Sequence, residues 1–189
     1  MKLVLASNSP RRKELIKECG YPFSVIVSSY DEKAFSPDPI ITAEAFAKGK
    51  AKSVFSSIKN NEDYVVVGAD TVVYNQGVIL NKPKNDLEAE NMLSFLSGKT
   101  HQVITGFCVI KKDKITTSHQ VTNVTFNALS KDLIKEYVKS GLYKGKSGSY
   151  GIQDPYPLVK SYDGSLYNVI GFPLEKISPI IKEFMEEKE

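Results

Sequence analysis

Val65-Val66-Val67-Gly68-Ala69-Asp70-Thr71-Val72-Val73 is a β-branched run broken in its middle by two small residues and a carboxylate. Consecutive valines with no polar residue between them match a strand buried on both faces. A carboxylate in such a strand is costly unless a cation pairs with it, so Asp70 calls for a lysine or arginine from elsewhere in the chain. The plainer reading, in which Asp70 ends the strand and caps a turn, stays open at this point. Just downstream, Tyr74-Asn75-Gln76-Gly77 is a turn signal and Val78-Ile79-Leu80 the second arm of a hairpin, which carries Lys82 and Pro83 back toward Asp70.

The chain has 189 residues, 41% hydrophobic and 25% charged, which fits one compact domain of two lobes with a sizeable core. No apolar run reaches membrane-spanning length, and the apolar part of the first residues is too short for a signal peptide. The expectation is a cytoplasmic protein with no membrane partner. Cys19 and Cys108 have neither metal-ligand spacing nor a disulfide framework, and read as core thiols in a reducing compartment. A net charge of +3, with lysines scattered instead of gathered in a block, gives no support for a nucleic-acid partner.

The cations that could answer Asp70 lie in two helices. Residues 2–6 read as a strand, and Ser9-Pro10-Arg11-Arg12-Lys13 as the start of a helix, with Ser9 at the N-cap and Pro10 at the first helical position. Cations in a first helical turn each cost roughly 0.3–1 kcal/mol against the macrodipole, a crowding that makes sense if an anion binds there. Free backbone N–H groups, Ser7, Ser9 and two guanidiniums form a suitable phosphate cradle. The second helix is expected from Thr42 to about Ile58. At about 100° per residue, Lys50 falls among Phe46, Ala47, Ala51 and Val54, whereas Lys48 and Lys52 face solvent, so Lys50 must meet an anion or snorkel out of the core. On this reading Arg12→Ala or Lys50→Ala leaves thermal stability unchanged or raised.

Between these helices a strand is expected over Phe23 to Val27, followed by a loop with Asp31 and Glu32. Asn85 or Asp86 caps a further helix, strands follow near residues 102–110 and 115–126, and Ser130 opens another helix. Gly145-Lys146-Ser147 imitates the end of a Walker phosphate loop, but Gly141 is one residue too close and a helix leads in, so that motif is rejected. Leu158 to Tyr162 and Leu166 to Ile170 read as a hairpin about Asp163-Gly164, and Pro173 begins a final helix.

These residues carry a resemblance. Ala6-Ser7-Asn8-Ser9-Pro10-Arg11-Arg12, Glu32, Lys50-Ala51, Gly68-Ala69-Asp70-Thr71, Lys82-Pro83, Ser97-Gly98, Tyr150-Gly151-Ile152-Gln153 and Val169-Ile170-Gly171-Phe172-Pro173 together resemble the Maf family of nucleoside triphosphate pyrophosphatases, formerly described as septum-formation inhibitors. The resemblance covers essentially the whole chain. It implies an α/β fold, a mixed β-sheet flanked by helices with a cleft between two lobes, related to inosine triphosphate pyrophosphatases, and often a homodimer. It implies hydrolysis of a nucleoside triphosphate to monophosphate and pyrophosphate, with Asp70 as proton acceptor for the attacking water. It places Arg11, Thr71 and Gln153 at the base end of the pocket, as in the branch that prefers dTTP and UTP.

The residues fit that chemistry on their own terms. Cleaving the α–β anhydride builds charge on the leaving pyrophosphate, and Ser7, Arg11, Arg12, Lys50 and Lys82 are the groups to meet it. A divalent cation, Mg²⁺ or in its place Mn²⁺, prefers carboxylate and phosphate oxygens, which makes Asp70 and Glu32 the candidate ligands. Whether Asp70 serves as base, ligand or both is open in the sequence, as is a preference for modified pyrimidine nucleotides. The alternative is a non-catalytic, nucleotide-responsive regulator of division, which has no use for a buried carboxylate among its cations. Asp154-Pro155-Tyr156-Pro157 departs from the small residues usual after the glutamine, and Ser149 stands where alanine is usual.

Overall fold

The valine run lies inside a twelve-residue strand at the centre of a seven-stranded mixed sheet. The computed structural model describes residues 1–33 and 36–186. In chain order the elements are β1 (Lys2–Leu5), α1 (Pro10–Lys17), β2 (Phe23–Val25), α2 (Pro39–Ser57), β3 (Tyr64–Asn75), β4 (Val78–Leu80), α3 (Asp86–Leu96), β5 (Thr100–Lys111), β6 (Lys114–Phe126), α4 (Lys131–Lys139), β7 (Val159–Asp163), α5 (Leu166–Ile170) and α6 (Leu174–Glu186). The strand order is β2-β1-β3-β5-β6-β7, with β4 folded back on the end of β3. β1 runs parallel to β2 and β3, and the other pairs are antiparallel.

Because side chains alternate along a strand, β3 serves two layers at once. Val65, Val67 and Ala69 pack with Leu15 and Ile16 of α1 and Ile177, Ile181 and Phe184 of α6. Val66 and Val72 point the other way, onto the small face of α2 formed by Ala43, Ala47 and Ala51. Beyond Val73 the long strands enter a second lobe, where α3 and α4 close a core around Leu93, Leu96, Phe126 and Tyr137.

Two glycines set how closely α2 approaches the sheet. A Cβ on Gly68 would lie 2.5 Å from the carbonyl oxygen of Ala47, and one on Gly106 would lie 2.4 Å from that of Ala43. Gly106 is the β5 residue registered opposite Asp70, so the helix rests directly over the carboxylate.

Three expected boundaries move. The helix expected at Thr42 begins at Pro39, because Asp38 caps it by accepting from the amides of Ile40 and Ile41 at 2.8 and 3.1 Å. The second strand stops at Val25, and the chain peels away with Val27 exposed. The second arm of the expected hairpin is the helix α5: Ser165 accepts from the Asn168 amide at 3.1 Å, and Gly171 (φ 107°) ends the turn in the left-handed region. A helix of five residues shows less than two turns of periodicity, so its apolar composition imitates a strand.

Gly106→Ala therefore tests the close approach. Overpacking against helix backbone should destabilise by about 1–3 kcal/mol, read as a lower urea midpoint with unchanged m-value.

Candidate active site

The cleft between the lobes has a volume of about 530 Å³ and is lined by the ends of β1 and β3, the start of α1, the loop after β2, and residues 144–154. Ser7, Arg11, Arg12, Glu32, Lys50, Asp70, Thr71, Lys82 and Gln153, the residues singled out in the sequence, all line it.

Lys50 and Asp70 are both buried, and the Lys50 Nζ lies 2.5 Å from Asp70 Oδ1 and 2.7 Å from Glu32 Oε1. Lys82 approaches the other Glu32 oxygen at 3.7 Å. Burial alone would raise the Glu32 carboxyl, but Lys50, Lys82 and Arg12 outweigh it and hold the group below the usual carboxylate range. The lysine on the apolar face of α2 has thus found its anion.

The cations in the first turn of α1 diverge instead of crowding one ligand. Ser9 caps the helix, Lys13 donates to Asn8 Oδ1 at 2.8 Å, and Arg12 turns inward. Its Nε donates to the Gly171 carbonyl at 2.8 Å, Nη1 to Ser7 Oγ at 3.3 Å and Nη2 to Thr71 Oγ1 at 3.1 Å. Burial lowers the Arg12 guanidinium, Asp70 and Glu32 oppose that shift, and Arg11 adds to it. Arg12 thus joins α1, β3 and the end of α5, and retains two N–H donors for a ligand.

The expectation that Arg12→Ala and Lys50→Ala spare stability is corrected here. Either change removes a buried partner: the first strips the Gly171 carbonyl of its donor, the second leaves Asp70 without its close cation.

Residues 144–154 add what the sequence reading missed. Lys146 Nζ contacts both Asp154 oxygens, at 2.5 and 2.6 Å, and Asp154 Oδ2 accepts from the Tyr137 hydroxyl at 2.6 Å and the Gly151 amide at 3.0 Å. Ser147 Oγ donates to the Thr71 carbonyl at 2.6 Å and the Gly148 amide to that of Asn81 at 3.2 Å, tying the loop to the strands that carry Asp70 and Lys82. Ile152 and Gln153 occupy the corners of a turn closed by the Asp154 amide donating to the Gly151 carbonyl. The lysine of the rejected Walker-like motif belongs to the cleft, where it pairs with the aspartate that follows Gln153.

The donor set fits a small hard cation. The Lys50 ammonium draws the two carboxylates together through one oxygen of each, which leaves Asp70 Oδ2 and Glu32 Oε2 as the oxygens to meet such a cation. Mg²⁺ commonly takes one or two carboxylates and completes its shell with phosphate oxygens and water. Among the described residues no group of three or more His, Cys, Asp or Glu gathers as a cage, so the remaining ligands would come from substrate and water.

Tyr150, also on the cleft, is backed by His101, whose Nε2 lies 2.8 Å from the tyrosine hydroxyl while its ring packs edge-on against Phe126. Burial lowers the imidazole to about 4.

Two measurements follow from this geometry. Lys50→Ala should destabilise by about 3–5 kcal/mol, because it leaves a buried charge uncompensated; Lys50→Met/Asp70→Asn should recover much of the loss in urea denaturation. For His101 the folded value lies below the ordinary 6.5, so the unfolded chain takes up the proton first as the pH falls. Its contribution to stability is full above pH 6.5 and is lost on the way down to pH 4, by on the order of 3 kcal/mol. Urea midpoints over that range should fall less steeply in His101→Gln than in the parent, and parallel curves would refute this.

The chain is similar to known proteins over nearly its whole length. The family model described as Maf-like protein matches residues 2–184. A dTTP/UTP pyrophosphatase of Bacillus thuringiensis subsp. konkukian (strain 97-27) is 43% identical over 187 residues, covering 97% of this chain and 95% of that one. A protein of the same name from Aquifex aeolicus (strain VF5) is 40% identical over 184 residues, with 97% of this chain and 95% of that one covered. Among solved structures, the Staphylococcus aureus Ham1 protein aligns with a TM-score of 0.48 at 13% identity, over 84% of this chain and 80% of that chain. The match across nearly all of the chain and the identity to these relatives place it in one group: the chain belongs to the Maf-like protein family.

Proposed function

We propose that the protein is a nucleoside triphosphate pyrophosphatase that hydrolyses dTTP and UTP to the monophosphate and pyrophosphate. The relatives named dTTP/UTP pyrophosphatase support this reading. The observation that carries it is Asp70, a buried carboxylate set among cations at the floor of the cleft. A site that only binds polyanions gains nothing from that carboxylate, whereas hydrolysis needs a proton acceptor there.

In this reading Lys50 holds Asp70 Oδ1, and Oδ2 is the atom that takes the proton from water attacking the α-phosphorus. Lys50 and Lys82, with the free N–H groups of Arg12 and the hydroxyl of Ser7, face the charge that grows on the leaving pyrophosphate. A divalent cation, Mg²⁺ or Mn²⁺, held by Asp70 and Glu32 would neutralise phosphate oxygens and favour attack. Arg11, Thr71 and Gln153 line the same cleft as the Lys146–Asp154 pair, and in this reading they meet the base, whose lack of charge fits a pair of balanced charge. The Gln153 amide offers one donor and one acceptor to the edge of a pyrimidine. The same reading makes the protein one domain in a cytoplasmic homodimer whose partner is the nucleotide and not nucleic acid, in keeping with a net charge of only +3.

Asp70→Asn should stay folded and lose activity by about 10²–10⁴-fold or more, the usual cost of a general base. Pyrophosphate release from dTTP, UTP, CTP and GTP, with Mg²⁺ present or chelated, is the test. Parent-like turnover by the Asn variant would remove Asp70 from the chemistry, and turnover unaffected by chelation would remove the metal.

A further inference from the structure

The direction of each hydrogen bond behind Thr71 follows from the atoms involved. Thr105 Oγ1 lies 2.9 Å from the Asn168 carbonyl oxygen, which only accepts, so the Thr105 hydroxyl proton is spent there. Thr71 Oγ1 lies 2.9 Å from Thr105 Oγ1, and in that pair Thr71 must therefore be the donor. On its other side Thr71 Oγ1 accepts from Arg12 Nη2 at 3.1 Å. A hydroxyl has one proton and two lone pairs, so a single lone pair is left on a residue that lines the cleft.

Asn168 makes the relay rigid. Both Asn168 and Thr105 are fully buried. Asn168 Oδ1 accepts from the Thr105 amide at 3.1 Å, and Nδ2 donates to the Val103 carbonyl at 2.9 Å and to Thr122 Oγ1 at 2.8 Å. The amide cannot flip without placing donor against donor and acceptor against acceptor, which costs roughly 1–3 kcal/mol for each buried group left unsatisfied.

An oxygen that can only accept repels a phosphate oxygen. Any substrate group that meets Thr71 Oγ1 directly must therefore be a donor, although the cleft is cationic. Uracil and thymine carry an N3–H, whereas N3 of cytosine is an acceptor.

We propose that Thr105 and Asn168 are positioning residues that hold Thr71 as a pure acceptor, and that this relay selects pyrimidines bearing an N3–H against cytosine. The inference rests on the pyrimidine triphosphate reading of the cleft and deepens it.

The experiment compares kcat/KM for UTP, CTP and N3-methyl-UTP, with 2′,3′-dideoxy-TTP set against dTTP, in the parent, Thr105→Val and Thr105→Ser. Thr105→Val removes the acceptor that fixes the Thr71 proton, so Thr71 can rotate and donate to cytosine. The UTP/CTP ratio should shrink by about ten- to a hundredfold, through KM more than kcat, and N3-methyl-UTP should be poor for the parent. Thr105→Ser keeps the hydroxyl and should restore the ratio, which a merely structural role would not do. Should Thr105→Val fail to fold, Thr71→Val decides, since it should lower UTP turnover more than CTP turnover and so shrink the UTP/CTP ratio. A parent-like ratio in folded Thr105→Val, or in Thr71→Val, overturns the relay. A loss confined to the dideoxy nucleotide would mean that Thr71 faces a sugar hydroxyl, and overturns it as well. A parent that hydrolyses none of these nucleotides, or shows no preference for UTP over CTP, instead defeats the functional reading beneath it.

Discussion

The pair formed by Lys50 and Asp70 constrains the rest of the molecule. Two charges taken out of water repay their desolvation only when the geometry is close and their other hydrogen-bonding capacity is used. Closeness is achieved because α2 lies on a sheet stripped of side chains at Gly68 and Gly106, with alanines facing them. The remaining capacity of Lys50 goes to Glu32, carried by the segment that leaves the sheet after β2. Tyr30 anchors that segment: a Cβ on Gly49 would collide with its ring, so the tyrosine lies flat on α2 one residue before Lys50. Removing the charges would simplify folding, so their retention is best understood through the ligand they await.

Arg12 does for the opposite side of β3 what Lys50 does for the α2 side. Its guanidinium uses a carbonyl freed at the end of α5, where the helix leaves acceptors unsatisfied, and two hydroxyls, Ser7 in the loop after β1 and Thr71 on β3. A cation in the first turn of a helix is unfavourable by itself. Here the cost is offset by a second helix terminus, and the two loop segments that border the cleft become fixed to each other. The geometry of the cleft and, in the proposed reading, phosphate recognition therefore draw on the same side chain, which is why the sequence, reading Arg12 only as a ligand group, misjudged its role in stability.

Legibility followed the range of the physics involved. Local signals were readable: Ser9, Asn85 and Ser130 cap the helices they precede, and the apolar stripe of α2 placed Lys50 inward before any partner was known. The hairpin after Tyr74 was readable for the same reason, since a turn at Gln76-Gly77 joins adjacent strands. Asp38 was missed as a cap because Thr42, three positions into the helix, is itself a good capping residue; its hydroxyl instead donates to the Ser36 carbonyl at 3.0 Å. α5 was missed because five residues cannot display a helical period. The link between Lys146 and Asp154 was illegible in another way, since nothing local says that a lysine from a rejected motif and an aspartate beyond a glutamine will share a site.

The alternation of side chains along β3 has a consequence for how the cleft divides its work. Asp70 and Thr71 are adjacent in sequence and therefore leave the strand on opposite faces. Asp70 faces α2 and meets Lys50, whereas Thr71 faces α1 and α5 and meets Arg12. Where one strand runs between the lobes, both faces border the same cavity, so neighbouring residues can serve it without competing for the same partners. A slip of one residue in register would place the carboxylate against the guanidinium and the hydroxyl against the ammonium. The valines on either side hold the register, because each would also exchange one core for the other. The hydrophobic pattern that made this stretch recognisable as a buried strand thus also assigns each polar residue to its own partner, Asp70 to Lys50 and Thr71 to Arg12.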